Sequence, residues 1–162
     1  MRAVVQRACD GSVRVANEIV GVFTGPGLVV LIGVTHTDTV DEARKLAKKI
    51  YDLRIFEPHH SPMPIDDDRR ELSASELGLP VLVISQFTLY GDTRKGRRPT
   101  WTAAAPGPIA EPLVDEVVTA LRELGAEVST GRFGADMQVS FVNDGPMTLI
   151  LEQNAPESPL PT

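Results

Sequence analysis

The run Leu28 to Val34 is apolar without a break. It follows Gly25-Pro26-Gly27, whose backbone chemistry predicts a turn. A short apolar run behind a turn reads as a strand buried on both faces, since a half-buried strand would alternate with polar residues. It is the longest such run in the chain. A bilayer span takes about 20 apolar residues, so no transmembrane helix is expected. Val81 to Tyr90 reads as a second strand of the same kind.

Shorter patterns supply the other elements. Met1 to Arg7 and Ser12 to Phe23 read as strands, the second with Val13 and Val15 alternating with Arg14 and Ala16. Asn17-Glu18 is the expected hairpin turn. Thr39 and Glu42 have capping-box spacing, and Ala43, Leu46, Ala47, Ile50 and Leu53 follow the rhythm of one buried helical face. Arg54 to Phe56 reads as a short strand. Pro58 to Pro80 reads as a long irregular stretch, and loops of that length are usually functional or mobile. Ile109 to Leu124 is a helix with Leu113, Val114, Val117, Leu121 and Leu124 on one side, ended by Gly125. Glu127 to Thr130, Met137 to Asn143 and Met147 to Glu152 are strands. The helices are separated by runs of strands, which predicts an α+β fold with a mixed or antiparallel sheet and two helices on one side.

With 162 residues the chain suits one domain that buries a core without disulfides or a metal. The single cysteine, Cys9, cannot close an intrachain disulfide and reads as an inert strand residue. No signal peptide is read at the N-terminus, and a lone thiol fits a reducing cytoplasm. Of the three histidines, His59 and His60 lie in a proline-rich stretch and read as solvated. No pair of histidines has helical metal-ligand spacing, so neither a metal nor a cofactor is expected. The net charge of −6 argues against a generic nucleic-acid coat. Yet Arg94, Lys95, Arg97 and Arg98 hold a quarter of the 16 basic residues within five positions, a local patch suited to a polyanion. From charge alone a solvated loop is an equal reading.

The familiar catalytic devices are missing. There is no G-x-S-x-G elbow, no phosphate-binding G-x-x-x-x-G-K-[ST] loop and no G-x-G-x-x-G turn. Two segments stand out instead. Ser85-Gln86-Phe87-Thr88-Leu89 ends an apolar strand in polar groups and leads into the basic run. Asn143-Asp144-Gly145-Pro146-Met147-Thr148 puts a proline between two strands, where it must mark an end, a bulge or an edge. Each has an ordinary alternative, a core strand with locally bonded hydroxyls and a plain tight turn.

Together, SQFTLYGDTRKGRRP and GRFGADMQVSFVNDGPMTLILE resemble the bacterial D-aminoacyl-tRNA deacylases. MRAVVQRA and GPGLVVLIGV fit the same family. The resemblance runs from Met1 to about Glu152 as one domain, and the proline-rich residues 153–162 are expected to form a disordered tail.

The resemblance implies a small barrel-like sheet with two helices, a cytoplasmic homodimer and hydrolysis of the ester in D-aminoacyl-tRNA, with clearance of mischarged glycyl-tRNA. It assigns the family's Gly-cisPro element to Gly145 and Pro146, which reach into the partner subunit's site. Their backbone carbonyls fill the space an L side chain would need. It assigns Arg7 to holding that element. Ser85, Gln86, Phe87 and Thr88 line the pocket for the aminoacyl ester and terminal adenosine, with Met137 beside them. Arg94, Lys95, Arg97 and Arg98 are implied contacts to the tRNA acceptor stem. Thr88 as nucleophile would need an activating base, and no nearby His or Lys is evident. The substrate's own 2′-hydroxyl is the alternative source of assistance.

The chain departs from the family between Phe56 and Val81, where Pro64 stands at an expected asparagine and Asp66 to Asp68 are expected to face solvent. Rival readings are a tRNA-binding module without activity, a general esterase on D-amino acid derivatives, and a relative with relaxed chirality.

Overall fold

The computed structural model describes residues 1–65 and 71–155. Strands β1 (Arg2–Val15) and β2 (Glu18–Gly33) form one long antiparallel hairpin. Val15 pairs with Glu18, so the turn is Ala16-Asn17, one residue earlier than expected, with Ala16 at φ 52°. Two-residue hairpins need such positive angles to match the strand twist. The hairpin does not break at Gly25-Pro26-Gly27, where the sequence predicts a turn. Pro26 pairs with Cys9 beside a bulge between Cys9 and Gly11, a place where a sheet tolerates proline. Gly25, at φ 73°, donates its N–H to Asp10 Oδ1 at 2.7 Å.

Helix α1 (Val40–Tyr51) starts at the Thr39–Glu42 capping box, and Ala43, Leu46, Ala47 and Ile50 are buried as expected. The Thr39 hydroxyl donates to Glu42 Oε2 at 2.7 Å and holds that buried carboxyl below its ordinary pKa. Strand β3 (Arg54–Phe56) follows. The described residues between Pro58 and Pro80 hold more regular structure than the prolines imply. They form a 3-10 turn at Pro58–His60, strand β4 (Leu72–Ser73) and the short helix α2 (Ala74–Leu77). Ser73 and Glu76 form a second capping box, a signal the proline count obscured. Asp66 to Asp68 lie outside the described residues.

Strand β5 (Val81–Ser85) ends five residues before the expected Tyr90, because Phe87–Tyr90 winds into a 3-10 turn. Helix α3 (Gly107–Glu123) buries Leu113, Val114, Val117 and Leu121 but leaves Leu124 exposed past its last turn. Strand β6 (Val128–Thr130) precedes β7 (Met137–Glu152), which is one strand where two are expected. Its pairing with β1 puts Gln6 opposite Thr148 and Ala8 opposite Asn143. Asp144 to Met147 therefore bulge out opposite Arg7 alone.

The sheet order is β6-β5-β2-β1-β7. The β2–β5 and β5–β6 pairs are parallel, and β1 pairs antiparallel with both neighbours. The fold is thus α+β with a mixed sheet, and it has three α-helices among the described residues rather than two. Leu28, Val30, Ile32, Val81 and Val83 pack against α1 and α3 on one side. Val29, Leu82 and Ile84 point the other way, where the hairpin tip curls over to bring Val13 and Phe23 onto them. Both faces of Leu28–Val34 are therefore covered, as its composition requires. The curl carries Val22 to β6, where Ser129 Oγ donates to the Val22 carbonyl at 2.8 Å, yet the sheet stays open.

Beyond β7, Gln153 donates to the Met1 carbonyl at 2.9 Å. The buried Met1 ammonium bonds Asp38 Oδ1 at 2.6 Å. Of the expected disordered tail, residues 153–162, those from 156 onward lie outside the described residues. No helix among the described residues is long and apolar enough to cross a membrane.

Candidate active site

A cleft of about 540 Å³ opens at the carboxyl end of β5. Ser85, Gln86 and Phe87 form one wall, α3 and the segment before it a second, and Phe133 to Met137 a third. Sequence locality explains the first wall. The Gln86 N–H bonds the Ile32 carbonyl at 2.7 Å and so pins the end of β5 to the end of β2. Gly33 permits the approach, since a Cβ there would lie 3.0 Å from Leu89 Cβ and 3.1 Å from the Gln86 carbonyl. The chain then turns through Phe87–Tyr90.

Four expected site residues meet here, Ser85, Gln86, Phe87 and Met137. Met137 also packs with the second core cluster, so it serves both cleft and core. Thr88 is exposed and does not line the cleft, and its hydroxyl accepts a hydrogen bond from Gln86 Nε2. Phe87 is 55% exposed and meets Trp101, 41% exposed, edge to face at 5.4 Å. Trp101, Phe133 and Asp136 are lining residues that sequence reasoning missed. The GRFGADM segment carried the last two, but nothing in its pattern marked their direction. Among the described lining residues, Asp136 is the one ionisable side chain.

The basic run lies in the loop between two lining residues, Phe87 and Trp101. Asp92 and Thr100 close its loop by reciprocal backbone bonds of 2.9 and 3.0 Å. Arg94 is not free, because its guanidinium grips Asp92 at 2.6 and 2.9 Å. Those bonds hold the Asp92 carboxyl down to about 2. Lys95, Arg97 and Arg98 are exposed, with no ion-pair partner among the described residues.

Gly145 and Pro146 do not line this cleft. They are exposed on the bulge of β7, and their peptide bond is cis. Arg7, only 5% exposed, grips that bulge from β1. Its Nε donates to the Asp144 carbonyl at 3.1 Å, Nη2 to the Gly145 carbonyl at 3.3 Å and Nη1 to the Ile55 carbonyl at 2.6 Å. His60 is not solvated as expected. It is 4% exposed, and its Nε2 lies 2.8 Å from Asp144 Oδ2. Cys9, near Asp10 and Asp144, has its thiol pushed up by burial first and by those carboxylates second. Among the described residues no group of three His, Cys, Asp or Glu could hold a metal ion.

Comparison with known proteins places the chain in a family. Residues 4–152 match the family model described as D-Tyr-tRNA(Tyr) deacylase. A protein named D-aminoacyl-tRNA deacylase from Thermobifida fusca is 58% identical, covering 94% of this chain and 99% of its own length. One of the same name from Streptomyces coelicolor is 59% identical with the same coverage. A solved structure called c-Myc DNA Unwinding Element Binding Protein superposes with TM-score 0.83 at 35% identity, covering 96% of this chain and 100% of that one. A probable eukaryotic D-amino acid tRNA deacylase shares the fold, with TM-score 0.79 at 19% identity over 93% of this chain and 97% of that one. The chain belongs to the D-Tyr-tRNA(Tyr) deacylase family.

Proposed function

We propose that this chain hydrolyses the ester joining a D-amino acid to tRNA, releasing the free amino acid and tRNA in the cytoplasm. The meeting of Ser85, Gln86, Phe87 and Met137 in one cleft carries the reading. The cleft is apolar along its walls and polar at the end of β5, as an aminoacyl ester with a nucleoside leaving group requires. No His or Lys lines it among the described residues. In this reading the substrate 2′-hydroxyl assists the attacking water, and backbone N–H groups of the cleft receive the developing oxyanion. Lys95, Arg97 and Arg98 hold acceptor-stem phosphates, contacts that position without reading sequence.

Chirality is read by a second copy of the chain. Gly145 and Pro146 are exposed and away from their own cleft, which supports a role in a partner's. Val142 and Ile150, 62% and 73% exposed, flank them on β7 and give a homodimer apolar surface to cover. In that dimer the Gly145 and Pro146 carbonyls exclude an L side chain. Glycine has no side chain to exclude, so glycyl-tRNA is also cleared.

The test is loss of ester from D-tyrosyl-tRNA in the presence of purified protein. Free D-tyrosine and intact tRNA are the expected products. Binding of tRNA without turnover would replace the reading with a binding module. Equal turnover of the free D-tyrosine methyl ester, insensitive to salt, would replace it with a general esterase.

A further inference from the structure

The bulge Asp144–Met147 is held from two sides, and only one of them is Arg7. On the other side stands His60, which sits at the end of the 3-10 turn after β3 with its backbone N–H bonded to the Glu57 carbonyl at 2.9 Å. Phe56 meets the His60 ring edge-on at 5.5 Å, and His59 lies against it at 3.9 Å. The ring is 4% exposed and packed between these two neighbours.

Hydrogen bonding fixes its proton. The Glu57 N–H donates to His60 Nδ1 at 2.9 Å, closer than the Glu57 carbonyl at 3.2 Å. Nδ1 is then the acceptor, and the ring proton sits on Nε2. That N–H points at Asp144 Oδ2, 2.8 Å away, the same oxygen that Arg7 Nε approaches at 3.2 Å. One carboxylate oxygen thus takes the His60 proton and lies within ion-pair distance of the Arg7 guanidinium, whose Nε–H goes to the Asp144 carbonyl. The loop closes on itself, because Arg7 Nη1 bonds Ile55 in the strand that leads to His60.

We propose that His60 is a positioning residue for the chiral gate. Its Nε2–H holds the Asp144 carboxylate, and through it the Gly145 and Pro146 carbonyls, at the distance from β1 that excludes an L substrate. The inference rests on the gate proposed above. Arg7 holds the backbone carbonyls of Asp144 and Gly145, and His60 adds the hydrogen bond to the Asp144 side chain.

The experiment compares kcat/KM for D- and L-tyrosyl-tRNA in the parent, His60→Ala, His60→Asn and His60→Gln. Loss of a charge-assisted anchor should lower the D/L ratio about tenfold in His60→Ala, mainly by raising L turnover. His60→Gln should restore the ratio, since its Nε2–H extends to Asp144. His60→Asn, too short to reach, should not, and it decides the matter if the alanine variant does not fold. Equal loss for both substrates, or an unchanged ratio, would overturn the proposal. A double-mutant cycle on stability between His60→Asn and Asp144→Asn needs no substrate. Zero coupling there overturns the contact itself. Coupling without D-tyrosyl-tRNA turnover in the parent retains the contact and sinks the gate and the deacylase reading together.

Discussion

Arg7 Nη2 donates to the Gly145 carbonyl at 3.3 Å, across the point where four residues of β7 stand opposite one residue of β1. The arginine is buried and its three donor nitrogens serve three backbone carbonyls, on Asp144, Gly145 and Ile55. A guanidinium fork suits this task, because its donors are fixed in a plane. The bulge is therefore positioned by a side chain rather than by sheet pairing.

Arg7→Ala should cost roughly 2–3 kcal/mol, because the Ile55 carbonyl loses a buried donor, two part-buried carbonyls lose theirs and Asp144 loses a counter-charge. Arg7→Lys should recover only part of it, since a single ammonium cannot span all three carbonyls. Thermal or urea unfolding of the three proteins measures this. A loss below about half a kcal/mol for the alanine variant, less than one ordinary hydrogen bond, would remove Arg7 as the anchor.

Thr88 stands outside the cleft, and its hydroxyl partner is an amide, not a base. Thr88→Ala should keep turnover within about tenfold of the parent, whereas removing a true nucleophile costs on the order of a millionfold. Single-turnover deacylation at saturating protein separates the two. Abolished chemistry with tRNA binding intact would make Thr88 a catalytic residue.

Among the basic residues, the structure distinguishes paired from free. Arg97→Gln with Arg98→Gln should weaken tRNA binding and flatten the dependence of log K on log salt by roughly 0.7–0.9 for each phosphate no longer neutralised. Arg94→Gln should change the slope less, because Asp92 already neutralises that guanidinium. Filter binding over a salt series reads both. An unchanged slope in the double variant would give Arg97 and Arg98 no part in tRNA binding.

Tyr90 buries a hydroxyl that has no hydrogen-bond partner among the described residues, beneath the Arg2 guanidinium at 4.8 Å from its ring. Burial first, and then Asp38, raise its pKa from 10.0 to about 12. The folded state keeps the proton longer than the unfolded state. Stability from this group is therefore full below pH 10 and is lost as pH rises toward about 12. Tyr90→Phe should remove that alkaline loss and leave neutral-pH stability unchanged or up to about 1 kcal/mol higher. Denaturant midpoints at pH 7 and pH 11 test it, and a parent and variant with the same alkaline loss would contradict it.

Local signals were the legible ones. Thr39 and Glu42 announced a helix start because both ends of that interaction lie within a single turn of the chain. The apolar run Leu28–Val34 announced its double burial because nothing polar interrupts it. Pro26 misled, because a proline opposite a bulge looks in sequence like a proline in a turn. His60 misled more. Its neighbours are prolines, and its partner Asp144 is 84 residues away. The same distance hid the division of the site. Ser85 to Phe87 and Met137 converge through β5 and the start of β7, while Gly145 and Pro146 lie farther along the same strand, outside the cleft. No periodicity records which surface a bulge presents.

The most direct test is to incubate purified protein with D-tyrosyl-tRNA and L-tyrosyl-tRNA in parallel and follow the surviving ester. The account predicts rapid loss of the D ester with the L ester intact over the same time. Loss of both at similar rates would contradict a chiral gate at Gly145 and Pro146, and loss of neither would contradict deacylation itself.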